Sequence, residues 1–290
     1  MKTHNHFQGH NFPHIFQQIA ASFLSSAVSV HPRNWQGMDV SQRREMTTYE
    51  LMNVTFTQSL TALIDAVPLE GLSKVLESNW PWCEDHFQER VCGAPINPGT
   101  EWANWPWGDH AEKFLDESGQ FNHNYMERYW PKQAGVLSFG TAYVEDWDSR
   151  EADSILDMGC HQGIRNDYGD LNDLIQQLVD DPLTRQTWFP VFHPEDVGEV
   201  VGGRKPCTLG YQFIVRSGQL HVWYPLRSCD FIRHFRDDIY LTIRLAMWVL
   251  EQCQQLDPDN WANIKLGSYS MHCTSLHVFT NDYIQMGGQP

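Results

Sequence analysis

One β-hairpin pattern, at residues 204–230, constrains the fold of this chain more than any other stretch. Two apolar, β-rich runs, 208–215 and 219–224, are separated only by Ser217-Gly218. Glycine readily adopts the positive φ that a tight hairpin turn requires, so the two runs predict adjacent antiparallel strands.

The residues at the two outer ends of this hairpin have the side chains of a reactive site. Cys207 precedes the first strand, and Arg227, Ser228 and Asp230 follow the second. Because a hairpin brings its outer ends together, the sequence predicts a nucleophilic thiol beside an anion-binding arginine.

The composition is that of a globular protein and disfavours several classes of partner. With 290 residues, of which 41% are hydrophobic and 19% charged, the chain can bury a substantial core, and we expect a single domain over residues 1–290. The net charge of −16 disfavours binding to nucleic acid. Runs of about 18 apolar residues, which would predict a membrane span, do not occur. The polar N-terminus has no secretory signal pattern, so we expect a cytoplasmic protein.

The seven cysteines are odd in number and contain no CxxC pair. This usage is typical of reduced thiols rather than of a zinc site or a disulfide framework. His4, His6 and His10 offer an alternative metal site, but a mobile tail is the favoured interpretation of that segment, so we predict no metal site.

Helical and strand patterns alternate along the chain, which predicts an α+β fold. The predicted helices cover residues 15–30, 59–78 (with a break near 68–71), 170–180 and 237–256, and the predicted strands cover 47–57, 187–193 and 264–279. We expect residues 1–13 to be a flexible tail and residues 133–168 to be an irregular insertion.

Five short blocks follow one another in a specific order. They are Arg185, Pro206-Cys207 with Gln212-Phe213, Arg227-Ser228-x-Asp230, Asp238, and Leu276-His277-Val278-Phe279. In this order they resemble the thymidylate synthase superfamily, whose pattern is a P-C-H-x-x-x-Q-F strand, Q-R-S-x-D, an Asn entering a long helix, and G-D-x-H-x-Y. The segments YMERYW and PLTRQ match the family's Y-G-x-x-W-R and P-x-S-R-R more loosely.

The resemblance implies a fold, a reaction and partners. The fold would be α+β with a large mixed β-sheet packed by helices, and two copies would associate sheet to sheet as a homodimer. The substrate would be a pyrimidine nucleoside monophosphate. The co-substrate that supplies a one-carbon unit would be 5,10-methylenetetrahydrofolate.

The resemblance also implies a role for each motif residue. Cys207 would add to C6 of the pyrimidine, and the neighbouring Arg227 would stabilise its thiolate. The substrate-binding residues would be Arg33, Arg185, Gln212, Arg227, Ser228, Asp238 and His277. Among them, the arginines and Ser228 would hold the 5′-phosphate and His277 the sugar hydroxyl. Arg185 would reach across the dimer into the other subunit's site.

Residues further upstream would serve the co-substrate and the proton-transfer step. Trp82, together with Asp230, would face the pterin. Glu84 would be the catalytic acid or base that orders water, with Asp85 and Glu89 as alternatives because the spacing of this stretch differs from the family pattern.

Asp238 stands where the family has the Asn that recognises the edge of the pyrimidine. Uracil offers an N3–H donor and an O4 acceptor, which an amide matches, whereas cytosine offers an amino donor and an N3 acceptor, which an acidic side chain matches. This exchange resembles the deoxycytidylate and cytidylate hydroxymethylases within the superfamily. The alternative is that Asp238 only caps the long helix.

Other departures from the family pattern leave alternatives open. Gln186 replaces the second phosphate-binding Arg, Thr208 the His after the nucleophile, Leu226 the Gln before Arg227, and Phe279 the Tyr of the last motif. The Phe279 exchange removes a hydrogen bond to the sugar, so CMP and dCMP are both candidate substrates. The last residues do not resemble the apolar tail that closes over the folate in thymidylate synthases, which favours water over hydride as the final reactant.

We therefore predict the conversion of dCMP to 5-hydroxymethyl-dCMP. The alternatives are a dUMP-directed enzyme that forms a methyl or a hydroxymethyl product, a hydrolytic site of Cys207, His277 and Asp230, and a nucleotide-binding protein without catalysis. A cytosine hydroxymethylase commonly serves a virus that modifies its own DNA, so the resemblance is compatible with a virus-encoded protein in the host cytoplasm.

Overall fold

A mixed β-sheet forms the centre of the fold. The computed structural model describes residues 2–64, 67–131, 169–197 and 204–289. Its strands are β1 (Asn5–Phe7), β2 (Val28–Val30), β3 (Asn34–Trp35), β4 (Met38–Asp39), β5 (Thr48–Ser59), β6 (Trp188–Pro190), β7 (Gly210–Arg216), β8 (Gln219–Asp230) and β9 (Lys265–Phe279). Within these residues seven strands join in the order β1-β5-β9-β8-β7-β6 with β2 paired to β5, and β3 and β4 form a separate ribbon. The β1–β5 and β8–β9 pairs are parallel and the others are antiparallel.

Helices of very different length accompany the sheet. They are α1 (Phe12–Ser26), α2 (Thr61–Ile64), α3 (Leu69–Leu76), α4 (Trp82–Arg90), α5 (Gly108–Ala111), α6 (Tyr125–Tyr129), α7 (Leu171–Asp180), α8 (Phe235–Leu256), α9 (Pro258–Trp261) and α10 (Thr280–Gln285). Short 3-10 turns occur at residues 44–46, 101–104, 112–114 and 194–197. This combination confirms the predicted α+β fold, with a large mixed sheet packed by helices.

The helices α1 and α8 cover one face of the sheet. Along the strands, apolar side chains alternate with polar ones, so one face of β5 and β9 is apolar and buried. The aromatic rings of Phe56 and Tyr269 on the sheet pack against Phe12 of α1, and Phe56 also contacts Phe235 of α8. These contacts place the hydrophobic core between the sheet and the two helices.

The opposite face of the sheet is polar and aromatic and is partly accessible. Trp188 and Trp223 pack against each other there with ring centroids 5.9 Å apart, and each remains 40% exposed. Beside them, His221 hydrogen-bonds to Ser268 across β8 and β9 at 2.8 Å. Large exposed indole rings of this kind are frequent at protein interfaces.

The predicted hairpin is present, but its second strand is longer than the sequence indicates. Ser217 and Gly218 both have positive φ, 51° and 70°, which is the geometry of a two-residue turn that matches the strand twist. Strand β8 runs on to Asp230, because its outer half pairs with β9 as far as His277. The structure therefore joins the end of the hairpin to the last predicted strand.

The structure confirms the two helices α8 and α7, which the spacing of apolar residues predicts. In α8 the buried side chains include Ile239, Ile243 and Ala246, which recur every three or four residues. The helix α7 begins at Asp170, whose carboxylate accepts hydrogen bonds from the N–H groups of Asn172 and Asp173.

The first ninety residues differ from the sequence-based expectation in three places. Residues 5–7, expected in a flexible tail, form β1 because β5 offers a free edge for parallel pairing. Helix α1 starts earlier, where Asn11 caps it, and ends at Ser26, since 28–30 pair with β5 as β2. The helix α4, in a stretch for which we predicted no element, begins directly after Pro81. The predicted insertion at 133–168 lies outside the described residues.

Candidate active site

The outer end of the hairpin brings the thiol and the anion-binding pair together, as the sequence predicts. The Cys207 Sγ atom lies 3.8 Å from Ser228 Oγ and 3.7 Å from a terminal nitrogen of Arg227. An isolated β-bridge between Thr208 and Leu226 fixes this juxtaposition. The thiol keeps partial access to solvent, which a nucleophile requires.

The backbone holds the Arg227 guanidinium in one orientation. Its Nε donates to the carbonyl of Pro206 and one terminal nitrogen to the carbonyl of Lys205, both at 2.8 Å. The other terminal nitrogen donates to Ser228 Oγ at 3.0 Å. The side chain is nevertheless exposed, so this arginine presents a fixed positive charge to an incoming anion.

A chain of hydroxyl groups lies behind the thiol. Tyr125 of α6 and Tyr224 of β8 both hydrogen-bond to Thr208 Oγ1, at 2.9 and 2.8 Å. Thr208 is fully buried and directly follows Cys207 in the chain. It therefore connects the backbone next to the nucleophile to these two tyrosines.

Asp238 lies in the first turn of α8, and its carboxylate does not cap the helix. The N-cap residue is His234, and its side chain makes no capping hydrogen bond. The Asp238 Oδ2 atom is 3.5 Å from Cys229 Sγ, which can donate to it. Burial raises the pKa of Asp238 to about 7, although the positive charge of Arg90 and the Cys229 hydrogen bond act in the opposite direction. The helix-cap interpretation is therefore wrong.

The adjacent Asp237 has a different, structural environment. It accepts hydrogen bonds from the backbone and the side chain of Asn79 at 2.8 and 2.7 Å. These two hydrogen bonds connect α8 to the residues just before α4. The Asp238 carboxylate has no comparable pair of hydrogen bonds among the described residues.

Asp238 and Cys207 both influence the ionisation of Tyr125. Burial raises the pKa of Tyr125, and the negative charges of Asp238 and Cys207 raise it further, whereas Arg90 lowers it. The hydroxyl of this tyrosine hydrogen-bonds to Thr208, the residue that follows Cys207 in the chain.

The three candidates for the catalytic acid or base are placed in different environments. The Glu84 carboxylate accepts from Arg244 at 2.8 and 2.9 Å and from Tyr240 at 2.8 Å, so its lone pairs are occupied by α8. Asp85 is exposed. Glu89 accepts from His86 at 3.2 Å and from the backbone N–H of Glu101. The assignment of the acid or base to Glu84 stays a prediction.

Trp82, predicted to face the pterin, belongs to a row of packed aromatic rings. Trp82 packs on Trp105, and Trp105 stacks on His234 with centroids 4.8 Å apart. The role of Trp82 towards the pterin stays a prediction. Asp230 is buried and accepts from the backbone N–H groups of Ile232 and Arg233 and from the Arg233 side chain.

The structure does not bring the remaining predicted residues to the thiol. Arg33 is exposed beside the β3–β4 ribbon, and Arg185 is exposed before β6. Gln212 alternates with the buried residues of β7 and donates to the Arg185 carbonyl at 3.3 Å, so it lies on the accessible face of the sheet. His277 pairs in register with Asp230, but the Asp230 carboxylate is held by Arg233. The hydrolytic arrangement of Cys207, His277 and Asp230 is therefore not supported.

Two cations near the site were not predicted from the sequence. Arg204 stacks on Phe114 and Phe121, with its guanidinium carbon 5.4 and 5.1 Å from the ring centroids. Arg90 is buried in α4. The signal available for Arg90 was its spacing of four residues from His86, which places both on one face of a helix.

A comparison with family models decides the assignment. Residues 100–289 match the model described as thymidylate synthase. The chain belongs to the thymidylate synthase family. A comparison with curated proteins finds no match.

The family membership supports, in general terms, folate-dependent transfer of a one-carbon unit to C5 of a pyrimidine nucleotide, and the family uses methylenetetrahydrofolate as co-substrate. The matched range includes the hairpin, Asp238 and the last strand. It does not include α4 or Arg33.

No group of three or more His, Cys, Asp or Glu side chains is placed to hold a metal ion in the part of the chain that the structure describes. None of the helices in the described ranges is long and apolar enough to cross a membrane.

Proposed function

We propose that the protein is a deoxycytidylate 5-hydroxymethyltransferase that uses 5,10-methylenetetrahydrofolate. The observation that supports this assignment is the Asp238 carboxylate, which lies in the first turn of α8 and has no hydrogen-bonded ion pair among the described residues. Its only hydrogen-bond donor there is the thiol of Cys229.

The chemistry of Asp238 suits cytosine. When ionised, its carboxylate can accept from the 4-amino group of cytosine, and a proton shared with N3 completes the pair. A pKa near 7 makes such proton sharing accessible at neutral pH. The uracil O4 atom would instead meet the lone pairs of the ionised carboxylate.

The residues of the hairpin supply the covalent step. The Cys207 sulfur bonds to C6 and the C5–C6 double bond opens, so C5 becomes nucleophilic. When bound, the folate supplies a one-carbon unit at the oxidation level of formaldehyde. C5 would bond to that one-carbon unit, and loss of the C5 proton would expel tetrahydrofolate with the electrons of the carbon–nitrogen bond, which leaves an exocyclic methylene. A water would add its hydroxyl to this methylene and release a proton, and expulsion of the Cys207 thiolate would restore the C5–C6 double bond. Throughout these steps, Arg227 and Ser228 hold the 5′-phosphate of the nucleotide.

The substitution Asp238→Asn tests this proposal. We expect kcat/KM for dCMP, divided by kcat/KM for dUMP, to fall at least about tenfold, because a hydrogen bond to a charged group contributes about 1.5–3 kcal/mol. Mass analysis of the product distinguishes a hydroxymethyl from a methyl group. The exposed Asp259→Asn is the matched control. An unchanged dCMP to dUMP ratio would contradict the role of Asp238.

CMP is a second candidate substrate, and a specific contact favours testing it. Phe279 packs edge-on against His277 with centroids 5.7 Å apart, and it offers no hydroxyl to the sugar. The site therefore has one hydrogen-bond donor fewer for distinguishing ribose from deoxyribose. Competition between CMP and dCMP in one reaction measures the preference.

We also propose that two copies associate through the accessible face of the sheet. The exposed indoles of Trp188 and Trp223 and the neighbouring Gln212 lie on that face, and Arg185 is next to it. Pairing these faces would cover the indoles and carry Arg185 towards the other subunit's site.

A further inference from the structure

An arginine just beyond the end of β8 binds two carboxylates through a single nitrogen. The Arg233 Nη1 atom donates to Asp230 Oδ2 at 2.8 Å and to Asp282 Oδ2 at 2.6 Å. Asp230 is the last residue of β8 and Asp282 lies in α10, so the guanidinium joins the last helix to the outer end of the hairpin.

The other edge of this guanidinium is unused. No described residue accepts a hydrogen bond from Nε or Nη2 of Arg233, although the side chain is only 23% exposed. These two nitrogens form the fork of parallel N–H groups with which arginine binds planar acceptors. Because the two ion pairs require only Nη1, the fork is available to a ligand.

Asp230 has one acceptor position left beside this fork. Its Oδ1 atom already accepts from the backbone N–H groups of Ile232 and Arg233, at 2.9 and 3.0 Å. Among the described residues, its Oδ2 atom accepts only from Arg233, and a carboxylate oxygen can accept two hydrogen bonds. The cluster therefore presents one acceptor next to a pair of donors.

Aromatic rings border this cluster. The Arg233 Cζ atom lies 4.9 Å from the ring centroid of Trp107 and 5.4 Å from that of Phe279. The next residue, His234, stacks on Trp105 with centroids 4.8 Å apart. Such rings hold the plane of the guanidinium and can also pack against a flat heterocycle.

The cluster lies next to the nucleophile candidate. Ser228 and Asp230 are two residues apart in β8, so their side chains share one face of the strand, with Cα atoms roughly 7 Å apart. The Ser228 hydroxyl is 3.8 Å from Cys207 Sγ. A heterocycle that contacts Arg233 would therefore be close to a base bound at the thiol.

The charges of the cluster select the class of ligand. Two carboxylates and one guanidinium sum to one negative charge, which disfavours a phosphate or a carboxylate at the fork. A neutral lactam, in which an N–H group adjoins a carbonyl oxygen, matches the acceptor and the donors together. The pterin ring of a folate has such an edge, with N3–H beside O4.

We propose that Arg233 is a specificity-determining residue for the co-substrate, whose Nε–Nη2 fork donates to O4 of the pterin while Asp230 Oδ2 accepts from N3–H. This inference rests on the proposed function, because it takes a folate as the co-substrate. Arg233 lies outside the short motifs that resemble the family.

Folate and its 4-amino-4-deoxy analogue test this assignment, because the analogue replaces O4 by an amino group and N3–H by an unprotonated nitrogen. Calorimetry on the full chain measures both dissociation constants, once with excess dCMP and once with excess dUMP. We expect the wild type to bind folate more tightly than the analogue. We expect Arg233→Met to lower the ratio of the two constants, analogue over folate, at least about tenfold. Arg236→Met is the matched control, because Arg236 is similarly exposed, at 21%, and pairs with Glu77.

Two further variants separate recognition of the pterin from a structural role. Arg233→Lys keeps the positive charge between the two carboxylates but lacks the fork, so we expect it to lose the preference for folate as well. It carries the test if Arg233→Met does not fold. Asp282→Asn removes one ion pair of α10 and leaves the fork, so we expect it to keep the wild-type ratio.

The possible outcomes distinguish this proposal from the proposed function. An unchanged ratio in the folded Arg233 variants would overturn the role of Arg233, and so would an equal fall in Asp282→Asn. The same fall with dUMP as with dCMP would support the role of Arg233 whatever base the enzyme prefers, so the dCMP assignment fails or stands by the Asp238→Asn experiment alone. A wild type that binds neither compound would overturn both the role of Arg233 and the use of a folate.

Discussion

Asp238 is a carboxylate whose ionisation the fold opposes. In an unfolded chain the pKa of an aspartate is near 3.8, and burial raises the pKa of Asp238 to about 7. Desolvation is the largest cause, because protein atoms replace the water that would stabilise the anion. This residue therefore has its protonation equilibrium close to neutral pH, where a shared proton is useful.

The raised pKa of Asp238 has a consequence for stability. Between about pH 4 and pH 7 the folded state retains a proton that the unfolded state has released, so the contribution of Asp238 to the free energy of unfolding falls as the pH rises through this range. At about 1.4 kcal/mol per pKa unit, the loss is at most about 4 kcal/mol, and the accessible surface of the carboxyl reduces it. We expect Asp238→Asn to remove this pH dependence in denaturant unfolding.

The control for this prediction is Asp259→Asn, at an exposed position in α9. Unfolding curves measured for wild type and both variants from pH 4 to pH 8 isolate the contribution of one carboxyl group. A wild-type stability that rises over this range by the same amount in all three proteins would contradict the buried, protonated state of Asp238.

At the scale of elements, one ion pair joins α4 to α8. Glu84 of α4 receives two hydrogen bonds from Arg244 and one from Tyr240 of α8, and the Arg244 guanidinium stacks on Phe87 with its carbon 4.5 Å from the ring centroid. Both charged side chains are largely buried. The pair fixes α4, and with it Arg90, relative to the helix that carries Asp238.

We expect Glu84→Gln to lower the free energy of unfolding by about 3 kcal/mol, because Arg244 would remain buried with no carboxylate. The exposed Asp85→Asn on the same helix is the matched control and is expected to change stability by less than about 0.5 kcal/mol. Turnover of the folded Glu84→Gln fraction decides between the two roles of this residue. Loss of kcat beyond the loss of folded protein would assign Glu84 to the catalytic acid or base, and an unchanged kcat would assign it to helix packing.

At the scale of the whole molecule, the sheet has one face covered by helices and one face that is partly open. An exposed pair of indoles on a polar face is more consistent with an interface than with a solvated surface. If two copies pair through this face, the exposed Arg185 of one copy completes the phosphate site of the other.

A subunit mixture tests this arrangement. We expect Cys207→Ser and Arg185→Ala each to be strongly impaired alone, the first in kcat and the second in KM for the nucleotide. Mixed dimers would contain one site with both wild-type residues, so an equimolar mixture should recover about a quarter of the wild-type activity. Sedimentation velocity confirms the dimer independently. A dimeric mixture without recovery would show that Arg185 serves the site of its own chain.

The hairpin and the long helix could be predicted because their signals are local. Ser217-Gly218 requires a tight turn, and a tight turn necessarily brings Cys207 to Arg227 and Ser228. In α8 the apolar spacing is regular over many turns, so the prediction differed from the structure by only two residues at the start. Asp238 was singled out because it stands where the resembled family has its Asn at the start of the long helix.

The environment of α4 could not be predicted in the same way. Glu84 and Arg244 are 160 residues apart in the chain, so nothing local indicates that they pair. The segment itself mixes indoles and charges without helical periodicity, and the helix forms because Cys83 and Phe87 find places in the core. Tertiary packing therefore decides whether this stretch is a helix or a loop.

The sequence by itself determined the family, through the order of its motifs, and the nucleophile candidate, because a tight turn brings Cys207 to Arg227. The role of Asp238 in base recognition stays a prediction from that resemblance. Only the tertiary structure decided that the pKa of Asp238 is raised to about 7. The physical reason is that a pKa depends on desolvation and on charges from distant segments, and these are set only when α8 packs against the rest of the chain.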